Sequence, residues 1–441
     1  MTISFLSQIE DVLGTLGPMA PRVIETGNAE LPSCFSVTDF AVATMTAAAK
    51  QLGALTGAHE MIIDRRLASL WFDMTLRPQG WVLPDAWDAI AGVYQASDGW
   101  IRLHTNAPHH RKAALRVLEC EADKTTVSAA VSSWRKSQLE DAIVAENGAA
   151  AAMHSMAEWS ITPQGQAVAQ DPLIAWDEVA DSNSKVALGD LKVLDLTRVL
   201  AGPVATRFLA GYGAHVLRID PQWWSEPGIE PEVTLGKKRA GLDLTRAEDR
   251  EVFENLLVQA DILVHGYRPG ALSGLGYDPK RLRAIAPHII DVSLCAYGLE
   301  GPWAGRRGFD SLVQMSCGIA HEGMVRKNAE HPIPLPVQAL DHATGYLMAA
   351  AILRALRVRN KTGRVLSARL SLARTALLLM SEPAQDFSGK DIEETAEDLS
   401  TLTEMTSWGP AKRLSFPILT DGAKPKWPFP AGQLRLDQPD W

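Results

Sequence analysis

A chain of 441 residues with 46% apolar side chains can bury the cores of two or three domains, and its 22% charged residues are an ordinary globular content. A net charge of −9 excludes the broad basic footprint of a nucleic-acid binder, so any anionic ligand must be met by local clusters of cations. Cys34, Cys120, Cys295 and Cys317 stand far apart with no CxxC or Cys/His ligand spacing, which predicts reduced thiols in a reducing compartment and no metal site.

The opening MTISFLSQIEDVLG carries acidic residues where an export leader is basic, and Arg354 interrupts the longest apolar run. The expected location is the cytoplasm, with no membrane partner. Residues 1–35 read as a helical arm followed by irregular chain around Pro18, Pro21 and Pro32. FAVATMTAAAKQLGALTG reads as a helix closed by Gly57, and MIIDRRLASLWF leaves helix and strand both open. Residues 91–105 predict a hairpin turning at Ser97-Asp98-Gly99, and helices are expected at 108–118, 124–134 and 137–147. His109 and His110 have no third ligand in register and read as solvated or capping histidines. The polar stretch Asp177 to Leu188 reads as a domain boundary.

Beyond it, strands and helices alternate. Strands are expected at 192–197, 215–220, 261–267 and 288–294, and helices at 246–259, at 279–285 and within VATRFLAGYGA. This alternation predicts an α/β fold, a doubly wound parallel sheet of Rossmann-like type accompanied by a smaller α+β domain. No GxGxxG follows the first strand, which counts against a nicotinamide or flavin site. Ligands of such sheets bind at the carboxyl ends of strands, here Arg198–Pro203, Tyr267–Gly270 and Ala296–Arg307. The chain then carries QALDHATGYLMAAAILR, in which Asp341 precedes an apolar helical run beginning near Thr344. That carboxylate reads either as an N-cap or as a nucleophile held at a helix start. An acidic, helix-like stretch at 391–404 and an irregular Pro- and Trp-rich arm complete the chain.

Sliding the chain so that Asp39 meets Asp341 also brings Ala47–Ala49 onto Ala349–Ala351. With small gaps, Thr56-Gly57 then meets Thr362-Gly363, and DRRLASLWF meets SARLSLART. The shared order favours an internal duplication.

VLDLTRVLAGP, LGKKRAGLDLT, DILVHGYRPGALSGLGYD, YGLEGPWAGRRGFDSLVQMSCG and LDHATGYLMAAAILRALRVRNKTG occur in this order between about Leu191 and Thr375. Together they resemble the family III CoA-transferases, the group of formyl-CoA and carnitine-CoA transferases. DGWIRLHTN and NGAAAAMHSMAEWSITPQ resemble segments that normally follow this region, so the chain resembles a rearranged tandem product. Residues 1–187 would be the small-domain-like half, 188–378 the CoA-binding α/β domain, and 379–441 an acidic helix and arm.

The resemblance implies that Asp341 is the nucleophile of CoA transfer from an acyl-CoA to a small carboxylic acid, through aspartyl anhydride and aspartyl-CoA intermediates. CoA would be a substrate rather than a tightly bound cofactor, and Met348 and Tyr346 would help to exclude water. Family likeness and local charge assign the CoA contacts to Arg198, Ala201, Lys237, Lys238, Arg239, Tyr267, Arg268, Leu275, Arg307 and Asp310. A homodimer is implied, since the family forms interlocked dimers. Two departures stand out: Phe309 occupies the place of the proton-carrying His of the related acyl-CoA racemases, and a glycine-rich loop of the formyl-CoA transferase kind is missing. Racemisation or isomerisation, and a non-catalytic CoA-binding subunit, are the alternatives.

Overall fold

The computed structural model describes residues 4–441. Apolar runs too short for helices and rich in Val, Ile and Leu form the centre of a seven-stranded sheet. Across the sheet the order is Lys238–Gly241, His215–Asp220, Lys192–Leu196, Ile262–His265, Ile290–Cys295, Arg364–Ser371 and Ala175–Asp181. The first six run parallel and the last antiparallel, which is the doubly wound α/β fold expected from the alternation. From Lys192–Leu196 the chain winds outward to one side, then returns to Ile262–His265 and winds to the other. The order therefore reverses between these two strands, and their carboxyl ends open a crevice at that switch point.

The Asp341 helix, Ala339–Thr362, crosses one face of this sheet. It contains no proline and is rich in Ala and Leu, so its propensity is high over the stretch that follows Gly345. It ends at Gly363, whose φ of 80° is a left-handed C-cap. At Gly345 a Cβ atom would stand 2.5 Å from the Ala201 carbonyl oxygen, so only glycine lets the helix Ala201–Gly211 approach this closely. On another side lies the helix Val37–Thr56, closed by Gly57 at φ 76°. The side chains between them, among them Leu347, Met348, Ala48 and Met45, are fully buried in the main core. Each fully buried Leu or Met contributes about 1.5–3 kcal/mol.

The hairpin Gly92–Ala96 and Gly99–Leu103 forms where expected and is joined by Ala150–Ala152. The helices Pro108–Leu118, Lys124–Ser132 and Lys136–Ala145 pack on it around a separate small core.

Several expectations are corrected. Within 1–35 a strand forms at Arg22–Thr26, parallel to Glu60–Asp64, and the ambiguous MIIDRRLASLWF divides into that second strand and the helix Arg65–Leu70. The polar segment after Asp177 begins inside the antiparallel edge strand, where its acidic side chains face solvent and pair with Arg364 and Arg369. The acidic stretch forms no long helix: Leu399–Thr406 is a strand paired with Gly409–Leu414, which pairs in turn with Leu76–Pro78. Alternating Thr and apolar residues favoured pairing there over helix. The tail is accordingly less irregular than expected, since Ile418–Thr420 adds to Glu60–Asp64.

Candidate functional site

The helix bearing Asp341 begins about five residues earlier than its apolar run suggested, with Gln338 at the N-cap and Asp341 in the first turn. The capping role falls to Asp310, at the start of the helix Asp310–Ser316. Its Oδ2 accepts the N–H groups of Leu340 (2.9 Å) and Asp341 (3.0 Å), while Gln314 donates to its Oδ1. Asp341 is thereby relieved of capping, and its own carboxylate makes no hydrogen bond among the described residues. It is 5% exposed and lines a cavity of about 330 Å³ in the switch-point crevice.

Three loops close this cavity. After strand Lys192–Leu196 come Arg198, Val199 and Ala201; after Ile262–His265 come Tyr267 and Arg268; after Ile290–Cys295 come Arg306, Arg307 and Phe309. Val199 adopts φ 63°, a left-handed conformation that a β-branched residue rarely takes, and its N–H donates to Glu226 Oε2 at 2.9 Å. Arg198 stacks over Trp224 at 5.0 Å and Tyr267 at 5.4 Å, and donates to the Tyr267 hydroxyl at 3.3 Å. Burial and the neighbouring Arg268 hold the Arg307 guanidinium below its usual range. The only acidic side chain on this wall is Asp341, so the cavity favours an anion.

Two more cavities adjoin it. One, of about 450 Å³, shares Tyr267, Arg268, Leu294 and Cys295 with the first, and carries Arg283 and Arg369. The other, of about 340 Å³, shares Val199, Trp224 and Phe309. Asp341 thus stands on the middle one of three adjacent cavities. Residues 188–404 match the family described as CoA-transferase family III.

That segment, a little under half of the chain, belongs to CoA-transferase family III. The chain is 31% identical over 221 residues to the human succinyl-CoA:glutarate CoA-transferase, covering 47% of this chain and 50% of that protein. It is 33% identical over 196 residues to a probable fatty acyl-CoA transferase of Mycobacterium tuberculosis, covering 41% and 49% respectively. A crystal structure from the same bacterium aligns at a TM-score of 0.39 and 28% identity, over 45% of this chain and 59% of that one. The chain spans about half the length of the curated relatives it matches.

Of the residues assigned to this family III site from the sequence, Asp341, Arg198, Ala201, Tyr267, Arg268 and Arg307 meet on the one cavity. Asp310 lies behind it. The cluster at 237–239 lies elsewhere, because Lys238–Gly241 is a strand at the sheet edge. Lys237 is fully buried, with Nζ 3.0 Å from Asp195 Oδ2 and 3.1 Å from the Pro203 carbonyl oxygen. Lys238 and Arg239 pair with Asp440 and Asp437 of the tail. Leu275 packs on a second core beside Tyr277, and Met348 and Tyr346 are core residues off the cavity wall.

The sequence reading missed His109 and His110, which line the cavity. His110 is buried beside Phe309 rather than solvated or capping, since the Pro108–Leu118 helix presents its first turn to the crevice. Trp223 and Trp224 were likewise missed. Their adjacency to Arg198 arises only through the fold, and no spacing in the sequence announces it.

Burial raises the Asp341 carboxyl well above its usual range, and the Asp310 carboxylate adds to the shift. Asp310 is itself pushed up to about 6, because burial outweighs its hydrogen bonds. Burial draws His110 down to about 3, so it is neutral at physiological pH. The described residues contain no cluster of His, Cys, Asp and Glu able to hold a metal ion, and no helix among them is long and apolar enough to cross a membrane.

Proposed function

We propose that the protein transfers CoA from an acyl-CoA to a carboxylic acid, with Asp341 as the covalent nucleophile. The observation that carries the reading is an uncapped, unbonded carboxylate on the wall of a cationic cavity. A capping Asp would spend its oxygens on backbone N–H groups, whereas here Asp310 does so and Asp341 is left for an incoming thioester.

The phosphates of CoA would lie toward Arg268, Arg283 and Arg369 and its thioester beside Asp341. An Asp341 oxygen attacks the thioester carbon, the C–S bond breaks, and a mixed anhydride forms as CoA leaves as thiolate. The thiolate attacks Asp341 Cγ, the anhydride C–O bond breaks, and the donor acid leaves as carboxylate. The acceptor carboxylate then attacks the aspartyl thioester, forming a second anhydride and freeing the thiolate. Attack of that thiolate on the acceptor's acyl carbon regenerates the Asp341 carboxylate. Arginines supplied by three separate loops stabilise the negative charge that develops at each carbonyl. Leu196, Leu294, Leu372 and Trp223 give the walls an apolar character that disfavours water.

The proposal extends to the molecule's history and setting. The helix pair around Asp39 and Asp341 supports a duplication within one chain, and four unpaired cysteines agree with a reducing cytoplasm. Homodimerisation remains part of it on the family resemblance.

Hydroxylamine added during incubation with acyl-CoA should convert Asp341 to a hydroxamate visible by peptide mass, and Asp341→Ala should abolish both adduct and transfer. Absence of adduct with every acyl-CoA tested, or transfer persisting in Asp341→Ala, would overturn the proposal. A second reading, proton exchange at the acyl α-carbon, is favoured by His110 lying on the same cavity as Asp341. A histidine drawn down to about 3 is a weak base, and deuterium incorporation without an acceptor acid would be its mark.

A further inference from the structure

The cavity that meets the Asp341 cavity at Val199, Trp224 and Phe309 is of opposite electrostatic character. Its wall carries Asp73, Asp85, Asp88, Glu226 and Glu232 and no Lys or Arg side chain. The arginines that pair with three of these acids, Arg111 with Asp88, Arg218 with Glu226, and Arg207 and Arg413 with Glu232, lie behind the wall. Both of its histidines, His104 and His342, are held neutral by burial. A carboxylate entering this space would lose its water and face carboxylates with no cation on the wall to pair with.

The same wall presents buried polar atoms with no partner among the described residues: Trp224 Nε1, Ser311 Oγ, His104 Nδ1 and His342 Nδ1. An indole N–H can only donate, and a hydroxyl can donate or accept. Unpaired groups of this kind are costly, and an oxygen atom on a ligand would satisfy them. Between them stand Phe72, Trp87 and Ile229, which offer apolar contact to a carbon chain.

We infer that this cavity is the acyl subsite, and that it selects uncharged acyl groups bearing a hydroxyl or keto oxygen while excluding those that end in a second carboxylate. The inference rests on the transfer reading above and deepens it. It separates this chain from the succinyl and glutarate substrates named for its human relative.

The test compares butyryl-CoA, 3-hydroxybutyryl-CoA and succinyl-CoA on the full chain, with acetate as common acceptor and hydroxylamine trapping of Asp341 alongside. The expected kcat/KM order is 3-hydroxybutyryl, butyryl, succinyl, with succinyl-CoA about tenfold or more below butyryl-CoA. Ser311→Arg, which adds a cation to the wall, should raise the succinyl-to-butyryl ratio. Trp224→Phe should bring the hydroxybutyryl-to-butyryl ratio toward one. Succinyl-CoA used as well as butyryl-CoA, with the Asp341 adduct present, would overturn the subsite and leave transfer standing. No adduct with any of the three would count against the transfer reading itself.

Discussion

Two aspartates at one helix start divide the work that either could do alone. Asp310 accepts the backbone N–H groups, and its negative charge opposes ionisation of Asp341, which burial already disfavours. In the proposed transfer only ionised Asp341 attacks, so the acid limb of the rate profile would report its ionisation. Asp310→Asn keeps an oxygen for the two N–H groups and removes the charge. The acid limb of kcat/KM should therefore move to lower pH, and a limb that stays in place or rises would disprove the coupling. The counterpart Asp39 also sits in the first turn of a long helix, but its side chain is 53% exposed and bridges Arg65 at 2.6 Å. It lines none of the three cavities of the site, and among the described residues no aspartate accepts a hydrogen bond from its backbone N–H. The sequence made Asp341 visible as a carboxylate before an apolar run. What it could not show was which of the two aspartates caps, because residues 310 and 341 meet only in the fold.

At the scale of elements, strands read from apolar runs lie close to their expected bounds, because buried parallel strands leave a strong local signal. Those with short or polar sequences were missed. Lys238–Gly241 was read as a basic cluster, since it has only one apolar side chain, Ala240. Its lysine at 237 was assigned to CoA because nothing local reveals that Asp195, fully buried in a central strand, would claim it. The two lysines now make different predictions. Lys237→Ala strands a buried carboxylate and should cost about 3–5 kcal/mol in urea unfolding. Lys238→Ala breaks a solvent-exposed pair with Asp440 and should cost less than about 1 kcal/mol. Equal effects, or loss of CoA affinity in Lys238→Ala at unchanged stability, would return the cluster to a ligand-binding role.

Across the whole molecule, the two long helices are framed alike. Ser36 and Gln338 hold nearly the same N-cap conformation, at φ −73°, ψ 58° and φ −78°, ψ 64°. Each helix connects two parallel strands, Arg22–Thr26 to Glu60–Asp64 and Ile290–Cys295 to Arg364–Ser371, and each second strand runs directly into a helix capped by its last side chain. The matching capping residues are Asp64 and Ser371, four positions beyond the alignment drawn from sequence, because the longer second helix and strand shift the register. The halves are not independent. The Asp341 helix buries one face on Val37–Thr56, and Leu76–Pro78 and Glu60–Asp64 receive their partner strands from the far end of the chain. Expressed alone, residues 188–441 would expose that helix face and leave three strand edges unpaired, since Arg364–Ser371 would also lose Ala175–Asp181, which favours aggregation. Co-expressed with residues 1–187, they should regain those partners, co-elute as one particle in size-exclusion chromatography and recover the trapped Asp341 adduct. A soluble, monodisperse 188–441 fragment that forms the adduct unaided would show that the first half is dispensable. Failure of the co-expressed pieces to associate would show that the covalent link, rather than the shared core, holds them in register.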